Sequence, residues 1–454
     1  MKKLPTLSIR EWDYIDWQKI AKALAEQSAQ NLDSTSKAKL EQKAKQIFSD
    51  LCDFTMQKSS QVLLGFKDSK TLQVRQYVGI ISTKSGFCVE ILPKLADLDS
   101  KANTDEQQGS IKQAREVFLK MLKTLRDSPF KHLELSVQDI APYPLLEAFA
   151  LMFVREVKLL LQRGLRCDYI SIESNHNVLK GRLLFNEHLR QNLIHKERFF
   201  TASDEFSANI APNRLLKTTL LFLANQGFSP RTQSQILALL LYFDEIDEAQ
   251  NIEADFSACP NSRHFKAYKN LLAWCKVFLK HLSFCPSGTK TRADSLLFDM
   301  NVLFESFVAW HLKKAAKSKG IKVYLQAKAH LMHNMQFNIR PDIVLEFINK
   351  HDKQVVIADT KYKRVDSIND IYSADLYQVL AYLNAFDCKN AMLIYPRIQS
   401  TNQHSLQKQH FAFKSFALPQ DSSPKCSIYF FDLLAPESCA RDLLNKLECF
   451  SQQG

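Results

Sequence analysis

Glycine is scarce in this chain: ten residues in 454. No GxGxxG or GxxxxGK(S/T) run occurs. The nearest approach, Ser287-Gly288-Thr289-Lys290-Thr291, lacks the first glycine of a phosphate cradle. The chain is therefore expected to bind no nucleotide, so any nucleoside triphosphate that drives its work is hydrolysed by another protein. The ten cysteines are scattered, with no CxxC pair and no His/Cys cluster at zinc spacing. Free thiols in a reduced, cytoplasmic compartment are expected. Long apolar runs are missing as well. The most apolar segment, Leu145–Val154, is broken by Glu147 and closed by Arg155. No membrane association is expected, and no signal-type apolar stretch follows Met1-Lys2-Lys3-Leu4-Pro5.

What is present is an ordinary globular balance, 46% hydrophobic and 24% charged, which is enough apolar material to bury large cores. Sixty Lys plus Arg against 48 Asp plus Glu leave a formal charge of +12, which favours a polyanionic partner. Hydrophobic periodicity divides the chain into three. Residues 1–140 read as an α+β domain, with helices near 17–29 and 37–57 and strands near 62–66, 72–81 and 87–92 forming a small sheet or partial barrel. A polar stretch at 96–110 reads as a linker or loop. Residues 141–290 read as mainly helical and end at a turn-rich loop, Phe284–Thr291. From 291 to 454 the pattern is mixed α/β: a long helix at 296–317, strands at 322–327, 339–347 and 354–359, a helix at 373–386, and strands at 391–395 and 426–431.

The chemistry is concentrated in the last third. Ile339-Arg340-Pro341-Asp342-Ile343-Val344-Leu345 places a carboxylate at the start of an apolar strand, and Val355-Val356-Ile357-Ala358-Asp359-Thr360-Lys361 places another at the end of one. Alternation along a strand puts Asp359 and Lys361 on one face, about 7 Å apart, with Thr360 pointing away and its carbonyl left as a possible ligand. A carboxylate after four apolar residues costs several kcal/mol unless it is paired or metal-bound. Repulsion from Asp342 would raise its pKa, which a divalent cation relieves. Hard oxygen ligands plus an ammonium are the equipment of metal-assisted phosphodiester hydrolysis.

Together these residues resemble the PD-(D/E)xK nuclease superfamily, with Pro341-Asp342 and Asp359-Thr360-Lys361 as the two halves of its motif. Glu305 occupies the position of the acidic residue on the helix before the sheet. Gln378 and Tyr382, one helical turn apart, are similar to the QxxxY element that flanks the site in the RecB-like branch. The likeness narrows further. Tyr77-Val78-Gly79-Ile80-Ile81 with Val89-Glu90-Ile91-Leu92-Pro93-Lys94, then Leu179–Phe185, His188, Asn192 and Asn213–Lys217, resemble the McrC family, the nuclease subunit of McrBC-type modification-dependent restriction systems. The resemblance implies an α+β multidomain chain with a C-terminal nuclease core. Asp342, Asp359, Lys361, Gln378 and Tyr382 would be its catalytic residues, and Mg²⁺ (or Mn²⁺) would be held by Glu305, Asp342, Asp359 and Thr360. It also implies double-stranded DNA as substrate, contacted by Arg340, Lys363 and Arg364, and docking of residues 1–140 onto a hexameric AAA+ GTPase of McrB type. Two alternatives stay open: a non-catalytic activator of that GTPase with a vestigial core, and a stand-alone DNA-repair nuclease.

Overall fold

The computed structural model describes residues 5–28, 34–56, 63–83, 85–94, 104–126, 128–132, 136–279, 294–332, 335–349, 352–397, 403, 406–407, 410–413 and 423–451. Residues 96–103 of the expected linker and the loop at 284–291 lie outside them; residues 104–110 begin the helix Thr104–Leu122 instead. The chain divides into two compact units, Met1–Pro5 with Tyr143–Ser283, and Thr6–Pro142 with Phe284–Gly454.

The larger unit joins segments that periodicity separates at 140 and 290. Asp294–Asp299 pairs antiparallel with Tyr77–Ser82 and so completes a four-stranded sheet in the order Thr6–Arg10, Cys88–Leu92, Tyr77–Ser82, Asp294–Asp299. Its register sets Leu297 opposite Gly79. Periodicity predicts a helix from residue 296, but residues 296–299 are strand because their apolar side chains complete this core. Phe298 meets Phe118 and Phe130 edge to face at 5.7 and 5.6 Å. Behind the sheet Glu90, fully buried, accepts from Arg115 Nε at 2.8 Å and Nη2 at 2.7 Å, a forked pair that satisfies both oxygens. The helix proper runs Met300–Lys319. Asp299 caps it by accepting from the Asn301 N–H at 2.8 Å, and Gly320 ends it in the left-handed region.

The second sheet of this unit has six strands, in the order Lys322–Leu325, Ile343–Asn349, Asp352–Thr360, Asn390–Pro396, Lys425–Phe431, His410–Ala412. Its three middle strands from Asp352 onward run parallel, and the crossover between the first two carries the helix Ser373–Ala385. Strands buried on both faces read as continuous apolar runs, which is why Val355–Ala358, Ala391–Tyr395 and Ile428–Phe431 stand out in the sequence. Val379, Tyr382 and Leu383 of that helix pack with Ile357, Leu393 and Ile428. The strand expected at 339–347 is two. Met335–Ile339 pairs with Ala329–Met332 in a separate hairpin, and the sheet strand begins only at Ile343. Pro341 has no N–H to give to a ladder, so the break falls there.

The smaller unit packs the helices Leu145–Gln162, Ala211–Ala224, Pro230–Leu240 and Tyr268–Leu279 around Phe149, Phe153 and Trp274. It is not helical throughout. Asp168–His176 and Phe199–Ser207 form a nine-residue antiparallel pair, with Arg182–Leu183 added at one edge.

Gly79 marks a close backbone approach. Its φ is +135°, and a Cβ there would lie 2.0 Å from the Leu296 carbonyl oxygen. Gly86, at φ +71°, has open space around it. Gly86→Ala should therefore cost only the left-handed penalty, roughly 1 kcal/mol, whereas Gly79→Ala should cost clearly more, about 3 kcal/mol or failure to fold. Urea unfolding of the two variants checks this, and equal losses would contradict the close approach.

Candidate active site

Asp342 sits just before the strand Ile343–Asn349, and Asp359 lies near the end of its antiparallel neighbour, where Ile343 is registered with Ala358. The register brings the two carboxylates to the same end of the hairpin. Asp342 Oδ2 accepts from the Thr360 N–H at 2.8 Å and from Thr360 Oγ1 at 2.6 Å. Thr360 therefore does not turn away from the acidic residues as expected: its hydroxyl reaches across the hairpin to the neighbouring strand's carboxylate. Gln326 was missed by sequence reasoning. Its Nε2 donates to Glu305 Oε1 at 2.6 Å and to Asp342 Oδ1 at 3.3 Å, tying the helix Met300–Lys319 to the sheet. Its backbone adopts φ +53°, and its N–H bonds the Asp342 carbonyl at 3.0 Å. A lone Gln after a short strand carries no motif by which it could have been found.

Lys361 Nζ lies 2.7 Å from Asp359 Oδ2 and donates to Gln378 Oε1 at 2.8 Å. Gln378 Nε2 donates to the Tyr382 hydroxyl at 2.5 Å, which in turn donates to the Arg340 carbonyl at 3.2 Å. Asp342, Asp359, Lys361, Gln378 and Tyr382 thus form one connected group. Asp359 is 1% exposed, and its Oδ2 is held against the Lys361 ammonium in a close ion pair. Burial, and then the Asp342 charge, push Asp359 up to about 6. Burial likewise pushes Glu305 up to about 7, with Asp342 adding to the shift. Burial works against the Lys361 ammonium, but the Asp359 carboxylate outweighs it and the lysine is held above its usual range. Among the described residues no three His, Cys, Asp or Glu side chains are gathered as a ready-made metal cage.

The three expected DNA contacts fall differently. Lys363 is pinned by Asp375 at 2.9 Å and lies over the Tyr372 ring at 4.2 Å. Arg364 pairs with Asp366 at 2.6 Å, and Arg340 is exposed.

The profile of the McrBC 5-methylcytosine restriction system component family matches residues 72–396. The chain belongs to the McrBC family. It is 21% identical over 277 residues to the type IV methyl-directed restriction enzyme EcoKMcrBC of Escherichia coli (strain K12), a match covering 57% of this chain and 79% of that protein. Its fold is similar to that of a chain in the refined half-complex from the tetradecameric assembly of Thermococcus gammatolerans McrB AAA+ hexamers with bound McrC. There the TM-score is 0.61 at 19% identity, with 97% of this chain and 100% of that one covered. A chain of the Thermococcus gammatolerans McrBC complex aligns over 68% of this chain and 88% of its own length, at 18% identity and a TM-score of 0.43. The McrC-type resemblance drawn from the motifs is borne out.

Several positions that carried the McrBC resemblance are architectural. Gly79 serves the strand pairing already described. A Cβ on Gly181, at φ +80°, would lie 2.3 Å from the Ala202 carbonyl. Asn192 exchanges side-chain hydrogen bonds with Asn175 at 2.7 and 2.9 Å and approaches His188 Nδ1 at 3.1 Å. Asn213, fully buried, accepts from the Tyr268 hydroxyl at 2.8 Å and donates to the carbonyls of Arg166 and Ala208.

The residue after Lys361 ties the site to the first sheet. The Tyr362 hydroxyl donates to Glu11 Oε1 at 2.6 Å, the Lys94 N–H donates to the same oxygen at 3.0 Å, and the Tyr362 ring packs on Phe304, next to Glu305. Glu11 is 1% exposed, and its second oxygen is buried without a partner. Burial raises its pKa from 4.5 to about 7, so the folded state holds the proton more tightly than the unfolded chain does. Its contribution is greatest at low pH and is lost as pH rises from about 4.5 to about 7, a change of roughly 3 kcal/mol. Glu11→Gln should remove that fall, so the variant gains on the wild type across this window. Denaturant titrations at pH 4.5 and pH 8 read the difference, and parallel pH dependences would contradict it.

Proposed function

We propose that this chain is the Mg²⁺-dependent endonuclease subunit of a GTP-driven, McrBC-type restriction complex that cuts double-stranded DNA. The observation that carries the reading is the buried Asp359 carboxylate beside Asp342, with the Lys361 ammonium against it. The residues fit a hard divalent cation: a helix, a strand and the residue just before its neighbouring strand bring three carboxylates together, and Asp342 adds to the raised pKa of both Glu305 and Asp359. Glu305, Asp342 and Asp359, with the Thr360 backbone, would hold it. When bound, Mg²⁺ or Mn²⁺ supplies charge neutralisation at the phosphate and lowers the pKa of a bound water. Lys361, kept charged by Asp359, stabilises negative charge developing on phosphate and orients the attacking water. Gln378 and Tyr382 fix the lysine's direction through an unbroken hydrogen-bond chain to the backbone at Arg340. Gln326 holds Glu305 to Asp342, and the PD-(D/E)xK core is the arrangement these roles describe.

The partner in this reading is a hexameric AAA+ GTPase of McrB type, which accords with the chain's lack of a phosphate loop. For docking, the resemblance implies residues 1–140, but the smaller unit carries an exposed apolar surface suited to it. Tyr169, Val178, Phe185, Leu193, Ile194 and Phe206 are each more than 60% exposed on or beside its three-stranded sheet. An apolar display of that kind marks an interaction face.

A second reading, a non-catalytic activator of the GTPase, is favoured by one observation: both oxygens of Asp342 and Oε1 of Glu305 already have donors in Thr360 and Gln326. The two readings separate in one assay with GTP, Mg²⁺, the partner and methylated plasmid. Asp359→Ala and Lys361→Ala should each lower strand cleavage by at least a thousandfold while leaving stimulated GTP hydrolysis unchanged. Wild-type GTPase stimulation without strand breaks would instead establish the activator.

A further inference from the structure

A cleft of about 1020 Å³ opens directly beside Glu305 and Gln326. Lys120, Lys123, Arg126 and Lys131 line it from the end of the helix Thr104–Leu122 and the segment that follows, and Lys313 lines it from the helix that carries Glu305. Two carboxylates, Glu305 and Glu437, line the cleft with them. Glu437 is already paired with Lys314 at 2.8 Å, and Glu305 belongs to the acidic group above. His311, also in the wall, is held well below the usual histidine range by burial and adds no charge near neutral pH. Burial, and then the neighbouring Lys120, hold the Lys123 ammonium below the usual lysine range. Trp310, 45% exposed, adds an aromatic wall next to the lysines. A concave surface with clustered cations and an exposed indole, ending at carboxylates, has the chemistry of a track for a phosphodiester backbone.

We propose that this cleft binds the DNA backbone flanking the scissile phosphate, with Lys123, Arg126 and Lys131 as its phosphate contacts, so that the strand runs along the cleft to Glu305. The assignment deepens the hydrolytic reading and rests on it. It moves the principal DNA contacts from Lys363 and Arg364, whose charges are taken up by Asp375 and Asp366, to a segment far away in sequence.

The test measures binding, so it is independent of cutting. The full chain carrying Asp359→Ala is titrated against a fluorescein-labelled duplex of about 30 base pairs in EDTA at several salt concentrations. Replacing Lys123, Arg126 and Lys131 together by Gln should flatten the plot of log K against log salt by about two to three, roughly 0.9 for each phosphate that is no longer neutralised. The same three-charge change at Lys37, Lys39 and Lys43, exposed on the helix Ser34–Met56, should leave the slope unchanged. Lys131 is exposed, so Lys131→Gln alone, which does not threaten the fold, should flatten the slope by about 0.9. An unchanged slope in the cleft variants, or an equal fall in the control, overturns the assignment. Failure of wild-type cleavage in the plasmid assay would overturn the hydrolytic reading instead, whatever the slopes.

Discussion

The crowding of negative charge at one end of the hairpin Ile343–Thr360 is the constraint around which the larger unit is organised. Asp359 is buried, Asp342 stands beside it, and Glu305 approaches from the helix. Such an arrangement is unfavourable by itself, because each carboxylate loses water and meets like charge. The surrounding residues offset that cost one by one. Lys361 pairs with Asp359, Thr360 gives two hydrogens to Asp342, and Gln326 bridges Asp342 and Glu305. A fold built for stability alone would have no use for this cluster. Its retention in the apolar setting of the sheet is the physical case for a chemical role.

The same constraint links the site to the first sheet. Tyr362, immediately after Lys361, reaches Glu11, and Phe304, immediately before Glu305, packs on Tyr362. The strand Asp294–Asp299 completes that sheet and passes straight into the helix that delivers Glu305. The N-terminal segments are thus structural supports of the carboxylate group. A shift of Glu11 would reach Lys361 through one side chain and one peptide bond.

Much of the site was legible in the sequence because its residues break rules locally. A carboxylate beside an apolar strand and a lysine two residues beyond another break the surrounding pattern and point to Asp342, Asp359 and Lys361, whereas Gln378 and Tyr382 were legible only through the resemblance to the QxxxY element. Gln326 and Glu11 were not legible, because their roles depend on contacts between segments 16 and 351 residues apart. The fold is plainest in the sequence where burial is two-sided, as in Val355–Ala358 and Ala391–Tyr395. It is least plain where tertiary pairing overrides local preference. Residues 296–299 look helical until Tyr77–Ser82 is there to pair with them, and Asp168–His176 carries too many polar residues to announce a strand. Boundaries at 140 and 290 miss the union of the two ends of the chain for the same reason: the antiparallel pairing of Leu297 with Gly79, so distant in sequence, leaves no local trace.

The central claim is that Glu305, Asp342 and Asp359 together bind a divalent cation, and Mn²⁺ titration of the full chain followed by electron paramagnetic resonance tests it most directly. Saturable binding in the wild type, lost in Asp342→Ala and in Asp359→Ala while both variants remain folded, is the expected result. Absence of saturable binding in the wild type, or binding unaltered by either substitution, would contradict the account.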